Sequence, residues 1–183
     1  VANAATMAGM AFANAFLGIV HSLSHKIGGH LGVVHGLANA IYLPHIIYYN
    51  AEQGVREKQG YFSQYRVPQS IKRYANIAAE LGLKGDNDLE KVDSLIQAIR
   101  NLTASLKCPL STSAYGIEDQ DFYRVLDQMA EEAYDDQCTG ANPRIPLITD
   151  LRRIYINAHH DIKIPSLANP DKNEYEQYHS GQD

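Results

Sequence analysis

Residues 18–36 read GIVHSLSHKIGGHLGVVHG, and they lie within a 51-residue stretch that has one charged side chain, Lys26. The other 15 of 16 basic groups and all 21 acidic groups fall in residues 52–183. A segment so poor in charge belongs in an interior. Val1 to about Lys26 is rich in Ala and Met, with Ala4, Ala8, Ala11 and Ala15 at helical spacing, so neighbouring backbones can approach closely. Gly28, Gly29 and Gly32 then break the pattern. Gly36 to about Asn50 (GLANAIYLPHIIYYN) is again apolar on most faces, with Pro44 as a kink. The prediction is a pair of interior helices joined by a Gly-rich turn.

Each uncharged run, 1–25 and 27–51, also has the length of a membrane span, about 20 residues. Asn3, Asn14, His21, Ser22, Ser24 and His25 in the first run, and His30, His35, Asn39 and His45 in the second, are costly in hydrocarbon. No membrane contact is therefore expected.

Working outward, the chain becomes an ordinary surface-facing helical domain. Residues 52–67 are polar, with Gly54 and Gly60, and read as a connection. Pro68 suits a first helical position, and Ile71, Tyr74, Ala75 and Ala78 follow on one face before a stop at Gly82. Asp86-Asn87-Asp88 offers a cap to a helix whose stripe is Leu89, Val92, Leu95, Ile96, Ile99 and Leu102. Further helices are expected over about 119–136, with Phe122, Val125, Leu126, Met129 and Ala133 inward, and over about 147–159, with Leu151, Ile154 and Tyr155 inward. No segment alternates with period two, so the architecture is all-α. Residues 1–161 form one helical domain in this reading, and 162–183, with Pro165, Pro170 and several charges, form a polar, extended tail.

Composition narrows the function. A net charge of −5 over 183 residues argues against a nucleic-acid binder, which needs a basic face to neutralise phosphates. Cys108 and Cys138 fit no C-x-x-C spacing, so neither a disulfide framework nor a cysteine zinc site is indicated, and a reducing cytoplasm is expected. The chain starts Val1-Ala2 without a basic n-region, so nothing there reads as a signal peptide.

Four of the eight histidines, His21, His25, His30 and His35, lie within fifteen residues. On a helix, His21 and His25 project from one face about one 5.4 Å turn apart. A doubling back at the glycines places His35 at the start of the next helix, facing the first pair. Imidazole is the commonest metal ligand, and a helix N-terminus disfavours imidazolium, which keeps a ring there available to coordinate. Two readings stand at this point: a metal or catalytic cluster, or core and surface histidines satisfied by backbone carbonyls. His30 reads as incidental, His45 as structural, and His159, His160 and His179 as solvated. The segment DDQCTGANPR (135–144) could offer carboxylates to a metal, but its turn-forming residues favour an interhelical loop.

The run NAATMAGMAFANAFLGIVHSLSHKIGGHLGVVHGLANAI (3–41) resembles the histidine signature of the iron-containing alcohol dehydrogenases, G-x-x-H-x-x-x-H-x-x-G followed by H-G. The segments YNA (49–51), FSQY (62–65) and DDQCTGANPR look like the alcohol dehydrogenase end of bifunctional aldehyde-alcohol dehydrogenases. The resemblance runs from about residue 3 to 158. It departs at Val34, where the family usually has proline, and at His30.

The resemblance implies that His21 and His35 are metal ligands and that His25 lies near the nicotinamide and substrate without ligating. Periodicity alone pairs His21 with His25 instead. The family holds its metal with one Asp and three His, two of them from an upstream D-x-x-x-H motif that these residues do not contain. They also show no G-x-G-x-x-G, so the chain looks like the C-terminal helical piece of a larger enzyme. That enzyme is expected to interconvert a short-chain aldehyde, acetaldehyde first, and its primary alcohol, with NAD and Fe2+, or Zn2+ in its place, as cofactors. The resemblance further implies a homo-oligomer, possible filaments, and an inactive fragment. The competing class is a helical packing or assembly piece without a complete metal site.

Overall fold

The computed structural model describes residues 1–52 and 69–180. The expected connection over 52–67, the helix start at Pro68 and the FSQY segment lie almost wholly outside them. The order is α1 (Ala2–Ala15), α2 (Ile19–Leu31), α3 (His35–Ala51), α4 (Ser70–Glu80), α5 (Asp88–Ser105), α6 (Thr112–Tyr115), α7 (Asp119–Tyr134), a 3-10 turn (Thr139–Ala141), α8 (Ile148–His159) and α9 (Lys172–Ser180). No strand occurs among the described residues, so the all-α expectation holds.

Helix α3 is the shared wall between two cores. One of its faces, through Ala38, Ile41, Tyr42, Ile46 and Tyr49, packs with α2, α7 and α8. The other, through Ile47, Tyr48 and Ala51, packs with α4, α5 and Tyr178 of α9. A helix covered on both sides must be apolar all round, which is why this segment lacks both charge and a clear stripe. It runs unbroken through Pro44.

Caps fix the remaining helices. Asn87 accepts from Glu90 N–H at 3.0 Å while Glu90 accepts from Asp86 N–H at 2.7 Å, which satisfies two donors at the start of α5. Asp150 accepts from Leu147 N–H at 2.9 Å at the start of α8. Gly82, at φ 71°, closes α4 as expected. The residues the spacing picks out on α7 and α8 point inward, with Val125 half-buried, and Ala130, Ile156 and Ala158 are buried beside them. At the end of α5, Thr103 rather than Leu102 is buried; Leu102 is 61% exposed.

Three expectations need correction. The first interior helix is two helices, meeting at 108° across Phe16–Gly18, and no residue of α1 is buried. Its small-residue stripe stays exposed. No single described helix is long and apolar enough to cross a membrane. Second, Gly28 and Gly29 lie inside α2, which ends at Gly32 with φ 72° and its N–H on Gly28 C=O at 3.1 Å. A Cβ on Gly28 would sit 3.1 Å from Val33 C=O, so that glycine permits close approach of the returning chain and does not end the helix.

Third, residues 162–180 are not a loose extension. Asp93 accepts from Ser166 Oγ at 2.6 Å and from Leu167 and Ala168 N–H at 2.9 and 3.2 Å. Ile162, Ile164 and Leu167 pack on the second core, and Tyr178 is buried with its OH 3.0 Å from His45 Nδ1. Apolar residues spaced irregularly around prolines give no period to read, yet they still bury surface.

Candidate metal centre

Helix α2 carries His21 and His25 one turn apart, and the tight return at Gly32 brings His35 in as the first residue of α3. His21 Nδ1 lies 3.1 Å from His35 Nε2. The rings of His25 and His35 stack, with centroids 5.1 Å apart and planes at 15°, and His21 lies 6.1 Å from His25. Each of the three rings offers a nitrogen within 4.8 Å of the others. The structure therefore brings together all three histidines singled out from sequence.

Burial, and then the neighbouring rings of His35 and His25, push the His21 imidazole below its ordinary value, against the opposing pull of Asp136. A neutral ring keeps a lone pair for coordination. Around a tetrahedral ion with bonds of about 2.1 Å, ligand nitrogens stand roughly 3.4 Å apart. The 3.1 Å between His21 and His35 is close to that spacing, so this donor pair fits a divalent first-row metal.

The second layer comes from the segment read as an interhelical loop. Asp136 Oδ2 meets His25 Nδ1 at 3.1 Å and Lys26 Nζ at 3.0 Å, and its Oδ1 accepts from Cys138 N–H at 3.0 Å. Its carboxylate is 7% exposed. Burial alone would raise this carboxyl, but the Cys138 N–H, Lys26 and His25 together hold it well below the usual carboxylate range. Asp136 thus reaches His25, a partnership that sequence spacing does not show across 111 positions. Cys138 is buried, and burial and Asp136 push its thiol up to about 11, away from nucleophilic use.

The same loop locks the start of α2. Asn142 Oδ1 accepts from Ile19 N–H at 3.4 Å, and its Nδ2 donates to Asn50 Oδ1 at 2.8 Å. Arg144 lies 3.9 Å over the Tyr49 ring and pairs with Glu52 at 3.2 Å. Tyr155 OH donates to Leu23 C=O at 2.9 Å, tying α8 to α2.

The other histidines serve packing. His30 pairs with Glu132 at 2.8 Å, and His45 is buried against Tyr178. His159, expected in solvent, is fully buried: it stacks on Phe122 and bonds Thr112 Oγ1 at 2.8 Å and Asp119 Oδ1 at 2.9 Å. Asp119, His159 and His160 also cluster within 4.8 Å, but both nitrogens of His159 already have partners. His160 meets Tyr123 OH at 2.8 Å, and the half-buried His179 meets Glu52 at 2.6 Å.

Residues 1–159 match the C-terminal part of the Fe-containing alcohol dehydrogenase family. The chain belongs to that family. It is 46% identical over 162 residues to the bifunctional aldehyde-alcohol dehydrogenase AdhE of Escherichia coli K12, covering 87% of this chain and 18% of that protein. It is 39% identical to the NADPH-dependent butanol dehydrogenase of Clostridium saccharobutylicum, covering 81% of this chain and 34% of that one. Among solved structures, the iron containing alcohol dehydrogenase of Thermococcus thioreducens superposes with a TM-score of 0.69 at 30% identity, covering 86% of this chain and 36% of that one. The chain thus spans 18% of the bifunctional relative and about a third of the shorter ones.

Proposed function

We propose that this chain supplies the helical half of an alcohol dehydrogenase site, with His21 and His35 as metal ligands and His25 as the imidazole facing substrate and nicotinamide. The observation that carries the reading is the convergence of three imidazoles from two helices joined by a tight return, in a member of this family. The reaction assigned is interconversion of a short-chain aldehyde, acetaldehyde first, and its primary alcohol with NAD(H). The butanol dehydrogenase relative makes NADPH the comparison coenzyme and a four-carbon alcohol the comparison substrate.

When bound, Fe2+, or Zn2+ in its place, supplies Lewis acidity at the alcohol or aldehyde oxygen. His21 and His35 would hold that ion, their positions fixed by the backbone of α2 and the first turn of α3. His25 would hold the hydroxyl proton of the alcohol in one direction and return it in the other, and a bound nicotinamide would supply the hydride chemistry. Two protein donors bind a divalent ion weakly, since catalytic sites commonly use three. The 183-residue chain by itself is therefore expected to have little or no dehydrogenase activity.

The test uses an enzyme in which this chain is joined to the upstream part of its relatives. His21→Ala and His35→Ala should each strip bound metal and abolish turnover, whereas His25→Ala should lower turnover with metal retained. Full metal content and activity in both ligand variants would refute the assignment.

A second reading, that the chain also serves assembly, draws on α1. Fourteen residues without a charge and without one buried side chain expose Met7, Met10 and Phe12, with Phe16 just beyond. A face of this kind is covered by the rest of the enzyme or by another subunit. Homo-oligomers, and filaments built from them, fit this reading. Two free cysteines suit a reducing, cytoplasmic setting.

A further inference from the structure

Asp136 is the one carboxylate among the described residues that reaches the histidine cluster by a hydrogen bond, and it lies in a loop rather than on the helices bearing the rings. Its carboxylate meets His25 Nδ1 at 3.1 Å, Lys26 Nζ at 3.0 Å and Cys138 N–H at 3.0 Å, with the Cys138 thiol as a further donor. All are donors or can act as donors, and an ionised carboxylate offers them only acceptor oxygens. A carboxylate facing two fixed donors accepts a hydrogen bond from the third group as well. The hydrogen between Asp136 and His25 therefore belongs to Nδ1. His25 in its neutral form then has a bare Nε2, the one ring atom left to accept a proton.

Ring orientation follows from the same contacts. His25 is 37% exposed at its side chain, yet it is stacked at 15° on His35 and anchored at Nδ1 by a group that is itself nearly buried. Asp136 is fixed in turn, because Cys138 N–H belongs to the turn entering Thr139–Ala141, and Thr139 Oγ1 donates to Ala133 C=O at 2.6 Å. These contacts fix the plane of a partly exposed imidazole.

We propose that Asp136 is a positioning residue: it holds His25 as the Nδ1–H tautomer, its ring stacked on His35, so that Nε2 is the proton-accepting atom. This rests on the assignment of His25 to the reaction made above. Asp136 touches neither substrate nor coenzyme in this account. It acts only through the ring it orients.

The test has two arms, chosen so that the two assignments can fail separately. In the first, long-range proton–nitrogen NMR on the 183-residue chain reads the tautomer of neutral His25. The native chain should show Nδ1–H. Asp136→Ala should shift His25 toward the Nε2–H form that free imidazole side chains favour, and Lys26→Met should leave it unchanged. An Nε2–H ring in the native chain, or an Nδ1–H ring that survives Asp136→Ala in a folded chain, overturns the proposal. If Asp136→Ala does not fold, Asp136→Asn keeps one acceptor oxygen but no charge, and a smaller shift in the same direction is expected.

In the second arm, on the enzyme joined to its upstream part, Asp136→Ala should lower kcat about 10- to 100-fold with bound metal and KM for the alcohol little changed. The same change made on a His25→Ala background should add almost nothing, and Asp136→Glu should recover part of the loss. Equal losses with and without His25 would mean that Asp136 serves the fold alone. If His25→Ala leaves kcat intact while the tautomer still follows Asp136, the role given to His25 is wrong and the positioning contact stands.

Discussion

Acidification should unfold this chain through a histidine remote from the cluster. His45 is fully buried on α3, 3.0 Å from Tyr178 OH, and burial together with the nearby Arg100 cation pushes its imidazole down to about 3. In the unfolded chain the same ring titrates near 6.5. Below that value the unfolded state binds a proton that the fold excludes, so stability is complete above about pH 6.5 and falls as pH is lowered toward 3. The slope is about 1.4 kcal/mol per pH unit, which amounts to about 2 kcal/mol by pH 5. That is a large share of the stability of an ordinary domain, about 5–15 kcal/mol. His159 and His21 are also lowered, chiefly by burial, and add losses of the same sign. Urea unfolding followed by far-UV circular dichroism at pH 7.5, 6.5, 5.5 and 5 isolates the His45 share when the native chain is compared with His45→Phe. The variant loses a pH-independent bond to Tyr178, but its stability should fall about 2 kcal/mol less across this range. Parallel pH profiles for the two proteins would refute the reasoning.

Leu126→Ala, at a fully buried position of α7, should cost about 2–5 kcal/mol in the same urea assay, whereas Leu102→Ala, exposed on α5, should cost under about 0.5 kcal/mol. Asp93→Ala removes the acceptor for three donors of residues 166–168, so hydrogen exchange over 162–180 should quicken well before the rest of the chain is affected. Gly18→Ala would bring its Cβ within 2.7 Å of Asn142 Oδ1, the atom that accepts from Ile19 N–H. A loss of about 1–3 kcal/mol is expected, and Asn142→Gly on top of it should cost less than the same change alone.

Helices α4, α5, α7 and α8 were legible because each carries one apolar stripe, and Asn87 and Gly82 act where their chemistry places them, whereas the short α6 and the tail helix α9 carry no such stripe. The cluster was legible for a related reason. Its three rings come from one turn of helix and one return, all within fifteen residues. What sequence spacing does not reach is partnership across distance. Asp136 lies 111 positions from His25, and the buried His159 depends on Asp119 and Thr112 folding over it. The one local signal for Asp136 was its place in a stretch rich in turn residues, which speaks of shape and not of partners. Helix α1 misled for the opposite reason: absence of charge predicts burial, and not one of its residues is buried.

The three methionines divide cleanly by place. Met7 and Met10 on α1 are 70% and 66% exposed, while Met129 sits at 0% in the first core. Thioether sulfurs oxidise according to access. A brief peroxide pulse read by peptide mass thus turns α1 into a self-reporting footprint, with Met129 as the internal standard for an intact core. Two fast sulfoxides signal a bare helix, and their slowing, at unchanged Met129, dates the moment another surface closes over it.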